Sequence, residues 1–164
     1  MRLTFEILMS NQTGLTGFTG LDSEKYYSVT EKIIGFAMKV HSALGPGFLE
    51  SVYLKALIHE LRRAGFSAET DQRITVRYEN VIVGDFIADL IVNETVLCEL
   101  KAISSLSKAD EVQLVNYLTA TNRDFGLLLN FGAPSLQFKR KFRRASSEAS
   151  DADLHHPVNP VNPV

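Results

Sequence analysis

The sequence predicts an α/β fold of the α+β kind, a mixed sheet flanked by helices, on three observations. Two stretches with apolar residues at helical spacing come first, between Ser28 and Gly65. β-rich segments follow from Ile74 to Ile103. A capped helix then leads into the strand-like run FGLLLNF.

Taken in order, residues 1–25 are rich in Thr, Gly, Ser and Asn without lasting periodicity and are expected to form a flexible tail. Ser28 with Glu31 makes a capping-box pattern, and Ile33, Ala37, Val40 and Leu44 recur at helical spacing until Gly45-Pro46 stops the first helix. A second helix is expected from about Phe48, with Leu49, Val52, Ala56 and Leu57 as its apolar stripe, ending at Gly65. Ile74, Val76 and Tyr78 then alternate strictly, a turn falls at Glu79-Asn80, and VIVGDFIADLIV completes a hairpin. A break at Asn93-Glu94 leads to a third strand, TVLCELKAI, and a polar SSLS loop. Ser107 and Asp110 can cap a helix running to about Thr121, FGLLLNF reads as a buried strand, and Pro134 to Phe142 as an edge strand. The order is α-α-β-β-β-α-β. Residues 26–144 would form the domain, and the proline-punctuated 145–164 a disordered tail in which His155 and His156 are solvated.

Composition narrows the function. A chain of 164 residues, 45% hydrophobic, can build one real core and is too short for two ordinary domains. Cys98 is the single cysteine, so neither a disulfide framework nor a cysteine-based metal site is available, and a reducing, cytoplasmic setting is expected. The opening MRLTFEILMSNQTG is interrupted by Glu6 and makes a poor signal peptide, and no run approaches the length of a membrane span. A net charge of −2 argues against coating nucleic acid by bulk electrostatics. All 17 Lys and Arg lie at or before Arg144, which leaves residues 1–144 at +1 and compatible with local phosphate binding.

The chemistry-bearing residues gather on the third strand. Side chains alternate along a strand, so Glu99 and Lys101 share one face while Cys98 and Leu100 share the other. A three-residue connection at 93–95 would pair Ala88 with Leu100, Leu90 with Cys98 and Val92 with Val96, making one face wholly apolar. The same register sets Asp89 opposite Glu99 and Ile87 opposite Lys101. Facing carboxylates repel and call for a cation or a shared proton, and Mg²⁺ accepts one or two carboxylates with waters and phosphate oxygens. The pattern also fits an ordinary ion pair of Lys101 on an exposed sheet face.

These residues resemble a known family. Asp89 followed at a distance by Glu99-Leu100-Lys101 looks like the D…ExK signature of the PD-(D/E)XK nuclease superfamily. Gly47-Phe48-Leu49-Glu50-Ser51-Val52-Tyr53 fits the motif of its GxxExxY branch. The resemblance spans Tyr26 to Arg143 and implies a restriction-endonuclease-like αβββαβ core and hydrolysis of phosphodiester bonds in DNA. It further implies Mg²⁺ or Mn²⁺ held by Asp89, Glu99 and the Leu100 carbonyl, with Glu50 reaching in from the second helix. Lys101 would position or deprotonate the attacking water. Gln113 and Tyr117 resemble a QxxxY feature that contributes to the site and to DNA contact. Glu50, Tyr53 and Leu57 at i, i+3 and i+7 share a helical face, consistent with that placement.

Two positions depart from the family pattern: Ala88 replaces the proline of the superfamily's name, and Ile87 stands where relatives are expected to carry a basic residue. His41 is a candidate to approach the site from the first helix, whereas His59 sits amid helix-surface residues. Nucleases of this fold often pair, so a homodimer is an open expectation. Two other functions stay open: a catalytically weak nucleic-acid- or partner-binding module on the same fold, and a regulatory protein binding through the basic segment Lys139 to Arg144.

Overall fold

A computed structural model describes residues 20–143. The readings of His155, His156, the C-terminal tail and the N-terminal tail up to residue 19 fall outside that range, and residues 20–25, expected as tail, are helical. In chain order the elements are α1 (Gly20–Leu44), α2 (Glu50–Arg63), β1 (Ala68–Glu69), β2 (Gln72–Tyr78), β3 (Val81–Ala88), β4 (Leu90–Val92), β5 (Val96–Lys101), α3 (Lys108–Thr121), β6 (Phe125–Asn130) and β7 (Gln137–Phe142).

The first helix begins at Gly20, ahead of Ser28. Tyr26 supplies the reason: its ring stacks on Phe125 at 4.1 Å, meets Phe142 edge-on at 5.1 Å, and its hydroxyl donates to the Gly126 carbonyl at 3.1 Å. Anchoring this ring on the sheet outweighs a local cap signal worth about 1 kcal/mol. The second helix also turns its face differently from expectation. It starts at Glu50, leaving Leu49 77% exposed as its N-cap, and buries Tyr53, Leu57 and Leu61 instead of the Leu49-Val52-Ala56 stripe. In α3 the predicted capping box is present, with the Ser107 hydroxyl accepting from the Asp110 N–H while the Asp110 carboxylate accepts from the Ser107 N–H.

Five strands form one mixed sheet in the order β1-β4-β5-β6-β7, with β5 and β6 parallel and the other neighbours antiparallel. A parallel pair needs a crossover, and α3 provides it. Strands β2 and β3 make a separate two-stranded sheet around the turn at Glu79-Asn80. The run VIVGDFIADLIV is therefore not one strand. It breaks at Asp89, with β3 pairing β2 on one side of the break and β4 pairing β1 and β5 on the other.

Leu90 pairs with Cys98 and Val92 with Val96, the register that the apolar pattern predicts, and Asn93 and Glu94 take the left-handed conformations of a tight turn. There the ladder stops. Asp89 is not a ladder partner of Glu99, and Ala88 is buried in the opposite core from Leu90. One core packs Leu90, Val96, Cys98, Leu100 and Leu129 against α1 and α2; the other packs Ile74, Ala88, Leu97 and Leu128 against Leu114 and Leu118 of α3.

The basic segment on β7 is largely spent on holding the fold together. Arg140 donates to Thr30 Oγ1 at 2.9 Å and lies over the Tyr27 ring, Lys141 pairs with Glu111, and Arg143 pairs with Asp124 at 2.7 Å.

Candidate active site

Asp89 occupies the residue at which the chain passes from one sheet to the other. With Ala88 drawn away to pair with Gln72, the carboxylate takes the position of a ladder acceptor, and its Oδ2 accepts from the Leu100 N–H at 2.7 Å. Backbone direction alternates along β5. The Lys101 carbonyl accepts from Phe131 N at 2.8 Å on the β6 side, so Leu100 directs its N–H and C=O to the other edge, where β4 has ended. The Leu100 carbonyl and the Asp89 carboxylate thus share an open sheet edge.

On the α3 side of β5, Lys101 Nζ donates to Glu99 Oε1 at 2.9 Å and to Gln113 Oε1 at 3.1 Å. Gln113 Nε2 in turn donates to the Tyr117 hydroxyl at 2.8 Å. Glu99 is only 4% exposed, and its second oxygen, Oε2, is buried with no hydrogen-bond partner. An orphaned carboxylate oxygen of this kind costs several kcal/mol to keep charged.

The electrostatics follow from this crowding. Burial, and then the Asp89 charge, push the Glu99 carboxyl up to about 7, against the pull of Lys101. Asp89 is raised by burial, opposed by the Leu100 N–H and by Lys101. Glu50, half-buried at the start of α2, is raised by burial and by Asp89 and lowered by Lys101, which places it within electrostatic reach of the centre. Burial would lower Lys101, but its hydrogen bond to Glu99 and the charges of Glu99, Glu50 and Asp89 raise it, so the ammonium form is favoured.

The donor set fits a hard divalent cation. Glu99 Oε2 lacks a partner, Asp89 and Glu50 add oxygen donors of the same charge, and the Leu100 carbonyl faces the same edge. Among the described residues no three His, Cys, Asp or Glu side chains form a closed cage. An Mg²⁺ site needs none, since that ion keeps several waters and takes only one or two carboxylates.

Several residues stand apart from the centre. The His41 ring is bonded through Nε2 to the Ala133 carbonyl at 2.9 Å, a satisfied helix-face histidine, and His59 is exposed on α2. Cys98 is fully buried on the opposite face, and burial pushes its thiol up, away from the thiolate a nucleophile requires.

Other residues prove to support the site although nothing in their sequence pattern marked them. Asn130 is buried and ties the segment after Lys101: its Oδ1 accepts from Ile103 N at 3.0 Å and Gly132 N at 3.1 Å, while its Nδ2 donates to the Ile103 carbonyl at 2.8 Å. Gly132 passes so close that a Cβ there would meet the Ala102 and Ile103 backbone at 2.4 Å. The GxxExxY residues divide their work. Gly47 adopts φ +114°, which only glycine takes readily, and Tyr53 donates to the Gly45 carbonyl at 2.7 Å and accepts from Phe48 N at 3.1 Å. Stacked on Phe131 at 4.7 Å, Tyr53 fixes the loop from which Glu50 enters.

Among known proteins, no curated protein and no solved structure matches the chain. A family model of the PD-(D/E)XK nuclease superfamily matches residues 27–144, a span that contains Glu50, Asp89, Glu99, Lys101, Gln113 and Tyr117. With that match over most of its length, and with the mixed α/β architecture of a restriction-endonuclease-like fold, the chain belongs to the PD-(D/E)XK nuclease superfamily.

Proposed function

We propose that this protein is a cytoplasmic, metal-dependent nuclease of the GxxExxY branch that hydrolyses phosphodiester bonds in DNA. The observation that carries the reading is the buried, unpartnered Glu99 Oε2 beside Asp89 and Lys101. Asp89, Glu99 and the Leu100 carbonyl would hold the ion, and Glu50 would complete its negative surroundings. Bound Mg²⁺ or Mn²⁺ supplies charge stabilisation to the phosphoryl oxygens and a more acidic water.

The chain's own residues supply the remainder. Lys101, kept as an ammonium by its carboxylate neighbours, donates to a water or to a phosphate oxygen and offsets negative charge that grows as the water attacks phosphorus. Gln113 accepts a second hydrogen bond from that ammonium and is itself oriented by Tyr117. The proton lost by the water leaves toward solvent or a carboxylate at the open edge, and the departing sugar oxygen is protonated in exchange.

The test is digestion of single-stranded, duplex and branched DNA, and of RNA, with Mg²⁺ or Mn²⁺, with EDTA, and with Asp89→Asn. Cleavage that needs the ion and is lost in Asp89→Asn is the expected result. A folded wild-type protein that binds these nucleic acids but cuts none of them would establish the binding module instead.

A further inference from the structure

We propose that the apolar groove between α3 and the β2–β3 hairpin receives an unpaired nucleobase, so that the strand to be cut is presented single-stranded; this deepens the nuclease reading and rests on it. The groove is built around one ring. Gly84 and Phe86 lie two residues apart on the same face of β3, and a Cβ on Gly84 would come within 2.9 Å of Phe86 Cε2. The glycine lets the ring lie back along its own strand. Tyr117 holds it from α3, with centroids 5.4 Å apart and planes tilted by 40°. Phe86 nonetheless stays 43% exposed, an aromatic surface fixed in orientation and open to solvent.

Val76, Phe86, Val112 and Tyr117 line a cavity of about 620 Å³, within the range of small-ligand sites, and Gln113 and Asn116 lie among its walls. Its occupant is indicated by what it adjoins. Gln113 lines the groove and also accepts from Lys101 Nζ at 3.1 Å, while its amide donates to Tyr117, so groove and reaction centre share a side chain. Phe86 precedes Asp89 by three residues of extended chain, about 10 Å, which a nucleotide spans from its phosphate to the outer edge of its base. A phosphate held beside Asp89 can therefore direct its base toward Phe86. The ring can stack on any base, and the Asn116 amide can meet a base edge. A base inside a duplex is already stacked on both faces, so the groove selects unpaired nucleotides.

The chain has no tryptophan, so Phe86→Trp introduces a single reporter. In EDTA, where ion-dependent cleavage is stopped, Phe86→Trp is titrated with a single-stranded oligonucleotide and with a blunt duplex of the same sequence. Fluorescence anisotropy of labelled strands is compared for wild type, Phe86→Leu and Phe86→Trp. Expected are quenching by the single strand and not by the duplex, together with a loss in Phe86→Leu of about 5- to 150-fold in single-strand affinity, the worth of one stacked base. Phe86→Trp should keep wild-type affinity. Unquenched tryptophan, full single-strand affinity in Phe86→Leu, or a dimer that Phe86→Leu dissociates overturns the proposal, the last by making the groove a self-interface. The two readings fail separately. Quenching without cleavage by wild type in Mg²⁺ or Mn²⁺ removes the nuclease and keeps the base site, whereas cleavage indifferent to Phe86 does the reverse.

Discussion

Glu99 is the residue whose environment departs furthest from what its chemistry prefers. Its carboxyl ionises near 4.5 when free and at about 7 in the fold. The folded state therefore holds this proton more tightly than the unfolded chain, and stability contributed by protonated Glu99 is lost as pH rises between those two values. At about 1.4 kcal/mol per unit of displacement the loss is on the order of a few kcal/mol, complete above pH 7 and absent below pH 4. Glu99→Gln removes the charge and keeps the shape. In ion-free urea denaturation it should be more stable than wild type at pH 8 and nearly equal to it at pH 4. An equal difference at both values would mean that the ionised carboxylate is not what strains the site. In the presence of ion the order inverts, since calorimetric Mg²⁺ binding should weaken in the same variant.

At the scale of elements, the start of α2 decides where Glu50 sits. Leu49 gives this helix no side-chain cap, and the entry is held instead by the Tyr53 hydroxyl, bonded to both Gly45 and Phe48. Tyr53→Phe keeps the ring on Phe131 and deletes both bonds. It should cost about 1–2 kcal/mol in denaturant unfolding and speed amide exchange at Phe48, leaving exchange in β5 unchanged. Protection at Phe48 equal to wild type would show that the loop holds itself. The same scale shows what sequence could and could not reveal. The pairing of Leu90 with Cys98 was legible because apolar alternation forces one register. The break at Asp89 was not, because alternation runs on unchanged through a point where the chain changes sheets. The extra turns of α1 were equally hidden, since Tyr26 is buried by Phe125 and Phe142, far away in sequence. Asp89, Glu99 and Lys101 were legible as charges interrupting apolar strands. Asn130 and Gly132 were not, because their roles depend on how close the segment after β5 passes.

The whole molecule places its like charges where its two cores part. Apolar side chains fill both faces of the central sheet, and the sheet opens only beyond Leu90 and Cys98, where Asp89 diverts the chain. Asp89 and Glu99 lie at that opening with Lys101 bonded to Glu99, and Glu50 acts on them through its charge. A divalent ion would relieve their repulsion in the folded state and find no such cluster in the unfolded chain, so it should stabilise the protein by linkage. At ten times its dissociation constant the gain is about 1.4 kcal/mol, or about 4 °C in Tm for a domain of this size. Asp89→Asn is the informative variant. Its amide oxygen can still accept from the Leu100 N–H, whereas Asp89→Ala would orphan that buried donor and confuse lost binding with lost structure. Thermal melts with and without Mg²⁺ should show the shift in wild type and its loss in Asp89→Asn, whose ion-free Tm stays at or above that of wild type. Lys101→Met should keep the shift undiminished, because a competing positive charge is gone, while cleavage falls by about 10²-fold or more. A shift that survives in Asp89→Asn would place the ion elsewhere on the molecule. A shift lost in Lys101→Met would mean that the lysine shapes the ion site rather than acting on the water.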